Sequence, residues 1–102
     1  MRRLAHLVSA LRKYEPERII LFGSHARGEA DEYSDLDIVV IKETEERFLD
    51  RLKTVYELVQ PTFALDVVVY TPEEFAEMQR LGNPFIEMVL REGIVVYEKS
   101  KS

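Results

Sequence analysis

The chain contains no cysteine. Disulfides and cysteine-ligated zinc are therefore excluded, and the absence fits a reducing compartment such as the cytoplasm. No apolar stretch approaches the roughly 20 residues needed to cross a bilayer. The start, Met1-Arg2-Arg3-Leu4, leads into a charged amphipathic pattern rather than a continuous apolar region, so neither a membrane span nor a signal peptide is expected. The two histidines, His6 and His25, lie far apart and do not suggest a histidine metal site; each reads as a surface or loop residue. Positive charge is scarce: 14 Lys and Arg stand against 19 Asp and Glu, a formal net charge of −5. A protein that grips nucleic acid in a groove would carry a basic face, so nucleic acid is not the expected partner. Internal repeats, linkers and low-complexity segments are also absent.

What is present is enough for one small domain. The 102 residues are 46% hydrophobic, and residues 1–102 read as a single unit. Leu4, Leu7, Val8 and Leu11 recur at helical spacing before Pro16, predicting a helix over residues 3–14. Arg18–Phe22 is a short strand ended by Gly23. Residues 24–33 are small and polar, a helical turn or two and a loop. Asp35–Ile41 is a second strand whose apolar second half suits burial on both faces. Thr44 is placed to cap a helix carrying Phe48, Leu52, Val55 and Val59, widened by Leu49 and Tyr56 and ended before Pro61. Phe63–Tyr70 is a third strand. Thr71-Pro72-Glu73-Glu74 has the form of a capping box with proline at the first helical position. Asn83-Pro84 begins a last helix with Phe85, Ile86, Val89 and Leu90, closed by Gly93. Ile94–Tyr97 is a fourth strand, and Lys99–Ser102 a frayed tail. The order predicts an α/β (α+β) fold with one mixed sheet of about four strands flanked by helices.

The chemistry concentrates in Gly23–Asp37 and at Asp66. Asp35 and Asp37 are two residues apart, so on a strand they share a face, with Leu36 turned away. Asp66 lies in another strand, between Leu65 and Val67-Val68-Val69, in a segment that reads as buried. If the second and third strands are neighbours about 4.8 Å apart, three carboxylates could converge. Two like charges about 4 Å apart repel by roughly 4 kcal/mol at an effective dielectric near 20. Such a cluster must hold a proton or a cation. Oxygen ligands suit magnesium, manganese or calcium, and magnesium shares its shell with phosphates, which points to nucleoside triphosphate chemistry. Read without Asp66, the Asp-x-Asp pair is more often a solvated strand end or turn device than a functional one. Glu29, Asp31 and Glu32 read as loop residues.

Gly23 and Ser24 come directly after the first strand. A strand-to-helix turn offers free backbone N–H groups to a phosphate, glycine allows close approach, and the serine hydroxyl adds a donor. Arg27 could contact phosphate or lock the loop by pairing with an acidic neighbour. Gly28 relieves a backbone constraint.

Together, Gly23-Ser24-x-Ala26-Arg27-Gly28, Ser34-Asp35-x-Asp37 and Asp66 resemble the nucleotidyltransferase superfamily related to DNA polymerase β. The likeness is greatest to the minimal nucleotidyltransferases, MntA-like antitoxins among them, and extends through Asn83-Pro84, Gly93 and Tyr97. The resemblance implies a mixed α/β sheet with flanking helices. It implies that Gly23 and Ser24, with Arg27 and Ser34, bind the nucleotide. Asp35, Asp37 and Asp66 would be the catalytic and metal-binding carboxylates, holding two Mg2+ ions or Mn2+ in their place, and Asp66 would help to activate the attacking hydroxyl. The reaction implied moves a nucleoside monophosphate, AMP from ATP, onto an acceptor hydroxyl and releases pyrophosphate. Many such proteins are antitoxins paired with a HEPN-family toxin, some of which they inactivate by adding AMP to a tyrosine. The alternative is a binding module that neutralises its partner by occlusion. The stretch beyond Asp66 is too short for a second packed domain, so the acceptor would be held by a partner chain, a small surface or a second copy in a homo-oligomer.

Overall fold

The core of the molecule divides at the strand β2 (Leu36–Ile41), because its side chains alternate between two apolar layers. Leu36, Ile38 and Val40 enter one layer, and Val39 and Ile41 the other; all five are nearly inaccessible to solvent. In this computed structural model, which describes residues 2–31 and 34–100, β2 lies inside a four-stranded sheet. The order is β3 (Leu65–Tyr70), β2, β1 (Arg18–Phe22), β4 (Ile94–Glu98). β1 runs antiparallel to both β2 and β4, whereas β2 and β3 are parallel. The sheet is thus mixed and has helices on both faces, as its sequence order implied.

On one face lie α1 (Arg2–Leu11) and α3 (Phe48–Val59), whose Leu7, Leu11, Val55 and Val59 pack with Ile19, Leu21, Ile38 and Val67. On the other lie α4 (Pro72–Arg80) and α5 (Pro84–Glu92), whose Phe75, Ile86 and Val89 cover Ile20, Val39 and Ile41. Thr71 and Glu74 form the expected capping box at the start of α4. Asn83 caps α5, its side chain accepting from the amides of Phe85 and Ile86.

Four expectations need correction. The first helix ends at Leu11, and Arg12–Tyr14 continue it as a tighter 3-10 turn ended by Glu15 in the left-handed region. Thr44 does not cap α3: its hydroxyl accepts from the amide of Glu46, a local turn, and the helix starts only at Phe48 with Arg47 as N-cap. The apolar stripe of α3 is narrower than its spacing suggested. Leu49 is 73% exposed, and Phe48 and Tyr56 are about two-fifths exposed, while Arg51 is 6% exposed. Arg51 reaches across the edge of the sheet. It donates to the carbonyls of Glu46 and Val69 and to the Glu74 carboxylate, so it ties α3 to β3 and to the cap of α4. Leu90, on α5, is also half exposed rather than core. The loop residue Glu32 and the tail residues Lys101 and Ser102 lie outside the described residues.

Candidate functional site

The parallel pairing of β2 with β3 sets Asp37 directly beside Asp66, and its antiparallel pairing with β1 sets Asp37 opposite Phe22. Gly23, the next residue after Phe22, therefore meets the Asp37 side chain. Its backbone has φ 76° and ψ −156°, a region open only to glycine. A Cβ on Gly23 would overlap Asp37 Oδ2. The glycine is thus required twice, by its conformation and by the carboxylate pressed against it.

Ser24 opens α2 (Ser24–Arg27), a single turn in which the Gly23 carbonyl accepts from the amides of Ala26 and Arg27. The first amides of such a turn have no intrahelical acceptor. Gly28 ends the turn with φ 74°, as its expected role in relieving the backbone requires. Asp35 precedes β2 on an exposed stretch, and Leu36, fully buried, anchors the segment between the two carboxylates.

Asp37 carries the electrostatic signature of the site. Its pKa is raised, first by burial, then by a hydrogen bond to Asp66, then by the negative charges of Asp66 and Asp35; His25 acts in the opposite direction. A hydrogen bond between two carboxyl groups requires a proton on one of them, and a divalent cation can take its place. The donor set is entirely carboxylate oxygen, which fits a hard ion such as magnesium or manganese. Among the described residues, no three acidic or histidine side chains are already gathered to hold an ion; Asp37 and Asp66 are register partners, and Asp35 adds its charge. Asp66 is exposed, contrary to the burial expected from its apolar neighbours. β3 is an edge strand in which Leu65, Val67 and Val69 turn inward and Asp66 turns out to solvent, so the cost of desolvation falls on Asp37 instead.

The remaining expected residues divide. Arg27 Nε pairs with Glu29 Oε2 at 3.4 Å, both largely exposed, so the arginine locks the loop in this structure. Ser34 Oγ donates to Asp31 Oδ1 at 3.2 Å and accepts from the Asp31 amide at 3.0 Å, closing the loop that delivers Asp35. Two residues at the site were not legible in the sequence, Arg3 and Tyr56. Arg3 Nη1 donates to the Ser34 carbonyl at 3.4 Å, and His25 Nε2 lies 3.2 Å from the same oxygen, so α1 and α2 together hold the residue before Asp35. Tyr56 of α3 donates to the Leu65 carbonyl, and burial followed by the Asp66 charge raises its pKa. Neither Arg3 nor Tyr56 carries a local signal; both arrive through tertiary packing.

Comparison with known proteins bears on this arrangement. A family model described as a nucleotidyltransferase domain matches residues 1–97. Two proteins of Methanocaldococcus jannaschii, each named "Putative protein adenylyltransferase", are similar over most of the chain. One is 33% identical over 81 residues, 79% of this chain and 78% of that protein. The other is 30% identical over 83 residues, 81% of this chain and 78% of that protein. A third of the same name and organism is 55% identical over 42 residues, but the match spans 40% of this chain and only 29% of that protein. Among solved structures, a "putative minimal nucleotidyltransferase" is 33% identical with a TM-score of 0.56, over 91% of this chain and 87% of that one. A "putative nucleotidyltransferase" from Sulfolobus solfataricus has a TM-score of 0.68 at 21% identity, over 99% of this chain and 85% of that one. A toxin-antitoxin structure with AMP-PNP has a TM-score of 0.63 at 19% identity, over 94% of this chain and 73% of that one. At these identities, the last two likenesses concern the fold alone.

Proposed function

The chain belongs to the nucleotidyltransferase domain family, and from that premise we propose that it transfers AMP from ATP to a hydroxyl of a protein partner. The observation that carries the reading is the pairing of Asp37 with Asp66 across parallel strands, with Asp37 pressed against the glycine turn. Gly23 lets the backbone approach the triphosphate, and Ser24 offers its amide and hydroxyl to it. Arg27 exchanges Glu29 for phosphate, and Ser34 keeps Asp35 in register. Asp35, Asp37 and Asp66 would hold two divalent ions, magnesium or manganese. The ions, when bound, neutralise phosphate charge and favour the ionised form of the attacking hydroxyl. Asp66, the most open of the strand carboxylates, accepts the proton of that hydroxyl. The acceptor oxygen forms a bond to the α-phosphorus, the bond from that phosphorus to the bridging oxygen of the β-phosphate breaks, and pyrophosphate leaves with the electron pair.

The acceptor is a tyrosine of a HEPN-family toxin, and the chain acts as its antitoxin in the cytoplasm. Similarity to proteins named as protein adenylyltransferases supports the protein acceptor. The shared fold with a toxin-antitoxin structure that contains AMP-PNP supports a toxin partner and an adenine nucleotide, and the HEPN family is what the sequence resemblance implies. No helix among the described residues is long and apolar enough to cross a membrane.

The test is to incubate the chain with labelled ATP, magnesium and the product of the neighbouring gene. Label should move to the partner, and the Asp35→Ala variant should abolish the transfer. Equal transfer by that variant would sink the proposal. Full neutralisation of the partner by Asp37→Ala would favour occlusion without chemistry.

A further inference from the structure

The chain is acidic overall, yet two arginines and a histidine collect at one end of α1. Arg2, Arg3 and His6 line a hollow of about 390 Å3 together with Gln60, Thr62 and Phe63. The placement does not help the helix. The first turn of α1 contains no acidic residue, and cations beside the positive end of a helix dipole cost about 0.3–1 kcal/mol each. Nor are the charges spent on ion pairs. No carboxylate pairs with Arg2, Arg3 or His6 among the described residues.

The wall opposite α1 is held in an unusual backbone shape. Gln60 ends α3 in the left-handed region at φ 47°, its amide donating to the Tyr56 carbonyl, and the chain turns there toward Phe63. The Arg3 guanidinium lies 5.9 Å from the centroid of the Phe63 ring. That contact orders one guanidinium over an aromatic face, an arrangement suited to a planar carboxylate beside an apolar or aromatic neighbour. Arg3 also donates to the Ser34 carbonyl, one residue before Asp35. Arg3 thus belongs to the hollow and also holds the residue that precedes Asp35.

We infer that this hollow is the docking subsite for an acidic peptide segment of the protein acceptor, linked through Arg3 to the segment that delivers Asp35. The inference rests on the proposed transfer to a protein and adds the chemistry by which that protein is held. Arg2 and Arg3 take carboxylates, Gln60 and Thr62 take backbone groups, and Phe63 receives an apolar or aromatic neighbour. A polynucleotide is the poorer match. Its phosphates are spaced evenly along the strand, whereas a peptide can set acidic residues and an aromatic neighbour together in the hollow.

The test uses a fluorescein-labelled peptide of alternating glutamate and tyrosine, titrated with the full chain at low salt, without nucleotide, and followed by fluorescence anisotropy. Arg2 is exposed and has no ion-pair partner among the described residues, so Arg2→Gln combined with His6→Gln leaves the fold and the Ser34 contact intact. The double variant should weaken binding at least about tenfold, a loss of about 1.4 kcal/mol. Arg2→Glu should weaken it further, and a lysine–tyrosine peptide should not bind. Unchanged affinity in Arg2→Glu would overturn the inference. So would single-stranded RNA that binds more tightly than the peptide and is lost in the same variants. Mg2+–ATP should still raise the Tm of the double variant. If peptide binding depends on Arg2 while no transfer occurs, the catalytic reading fails and the subsite stands; if transfer occurs but binding ignores Arg2, the subsite fails alone.

Discussion

Replacing Gly23 with alanine tests the geometry of the site at its tightest point. The residue sits at φ 76° and ψ −156°, where a non-glycine residue costs about 1–3 kcal/mol. The new methyl would also overlap Asp37 Oδ2 and crowd the rest of that carboxylate, a further cost of about 1–3 kcal/mol if the neighbours only partly relax. Together these give about 2–6 kcal/mol. For a chain of this size, each kcal/mol lowers Tm by roughly 4–8 °C, so a fall of about 10 °C or more is expected. Gly28→Ala is the control. Gly28 has φ 74°, but a Cβ added there would meet nothing within 4 Å, so only a backbone cost of about 1–2 kcal/mol applies. Thermal denaturation with and without Mg2+–ATP separates the two variants. Gly28→Ala should lose stability and keep its response to Mg2+–ATP; Gly23→Ala should lose both, because Asp37 is displaced. A Gly23→Ala protein with the stability and ligand response of the unaltered chain would refute this reasoning.

Asp37→Asn should stabilise the ligand-free protein by about 1 kcal/mol at neutral pH, because it removes a like charge facing the exposed Asp66, and should abolish the rise in Tm given by Mg2+. Arg51→Met should cost about 2–3 kcal/mol in urea unfolding, since it leaves the Val69 carbonyl without its donor and Glu74 without its partner. The hydrogen bond from Arg51 lowers the pKa of Glu74, so the stability it adds is present above the ordinary carboxylate pKa and lost as pH falls through the lowered value. Urea midpoints of the unaltered protein and Glu74→Gln should therefore differ at neutral pH and converge in acid; a constant gap would contradict the linkage.

Local pattern carried the strands and the two C-terminal helices. Thr71 and Glu74 announce α4, and Asn83-Pro84 announces α5, because caps are made by residues adjacent in the chain. The pairing of Asp37 with Asp66 was legible as a consequence of adjacent strands, but only the parallel register brings them side by side. The burial of Asp66 was misread because an apolar run looks the same on an edge strand as on a central one, and edge position depends on the whole sheet. The α3 stripe failed for a related reason. Arg51 lies inside and Leu49 outside because the carbonyl of Val69 and the carboxylate of Glu74, both remote in sequence, offer Arg51 what burial requires. Arg3 and Tyr56 join the site in the same way, through partners 31 and 9 residues distant.

The proposed chemistry is tested most directly by tracing which phosphate of ATP reaches the partner protein. With magnesium, label in the α-phosphate should become attached to the partner, label in the γ-phosphate should leave as pyrophosphate, and both transfers should vanish in Asp37→Ala. Attachment of the γ-label, or α-label transfer that survives Asp37→Ala, would contradict nucleotidyl transfer by the Asp35–Asp37–Asp66 site.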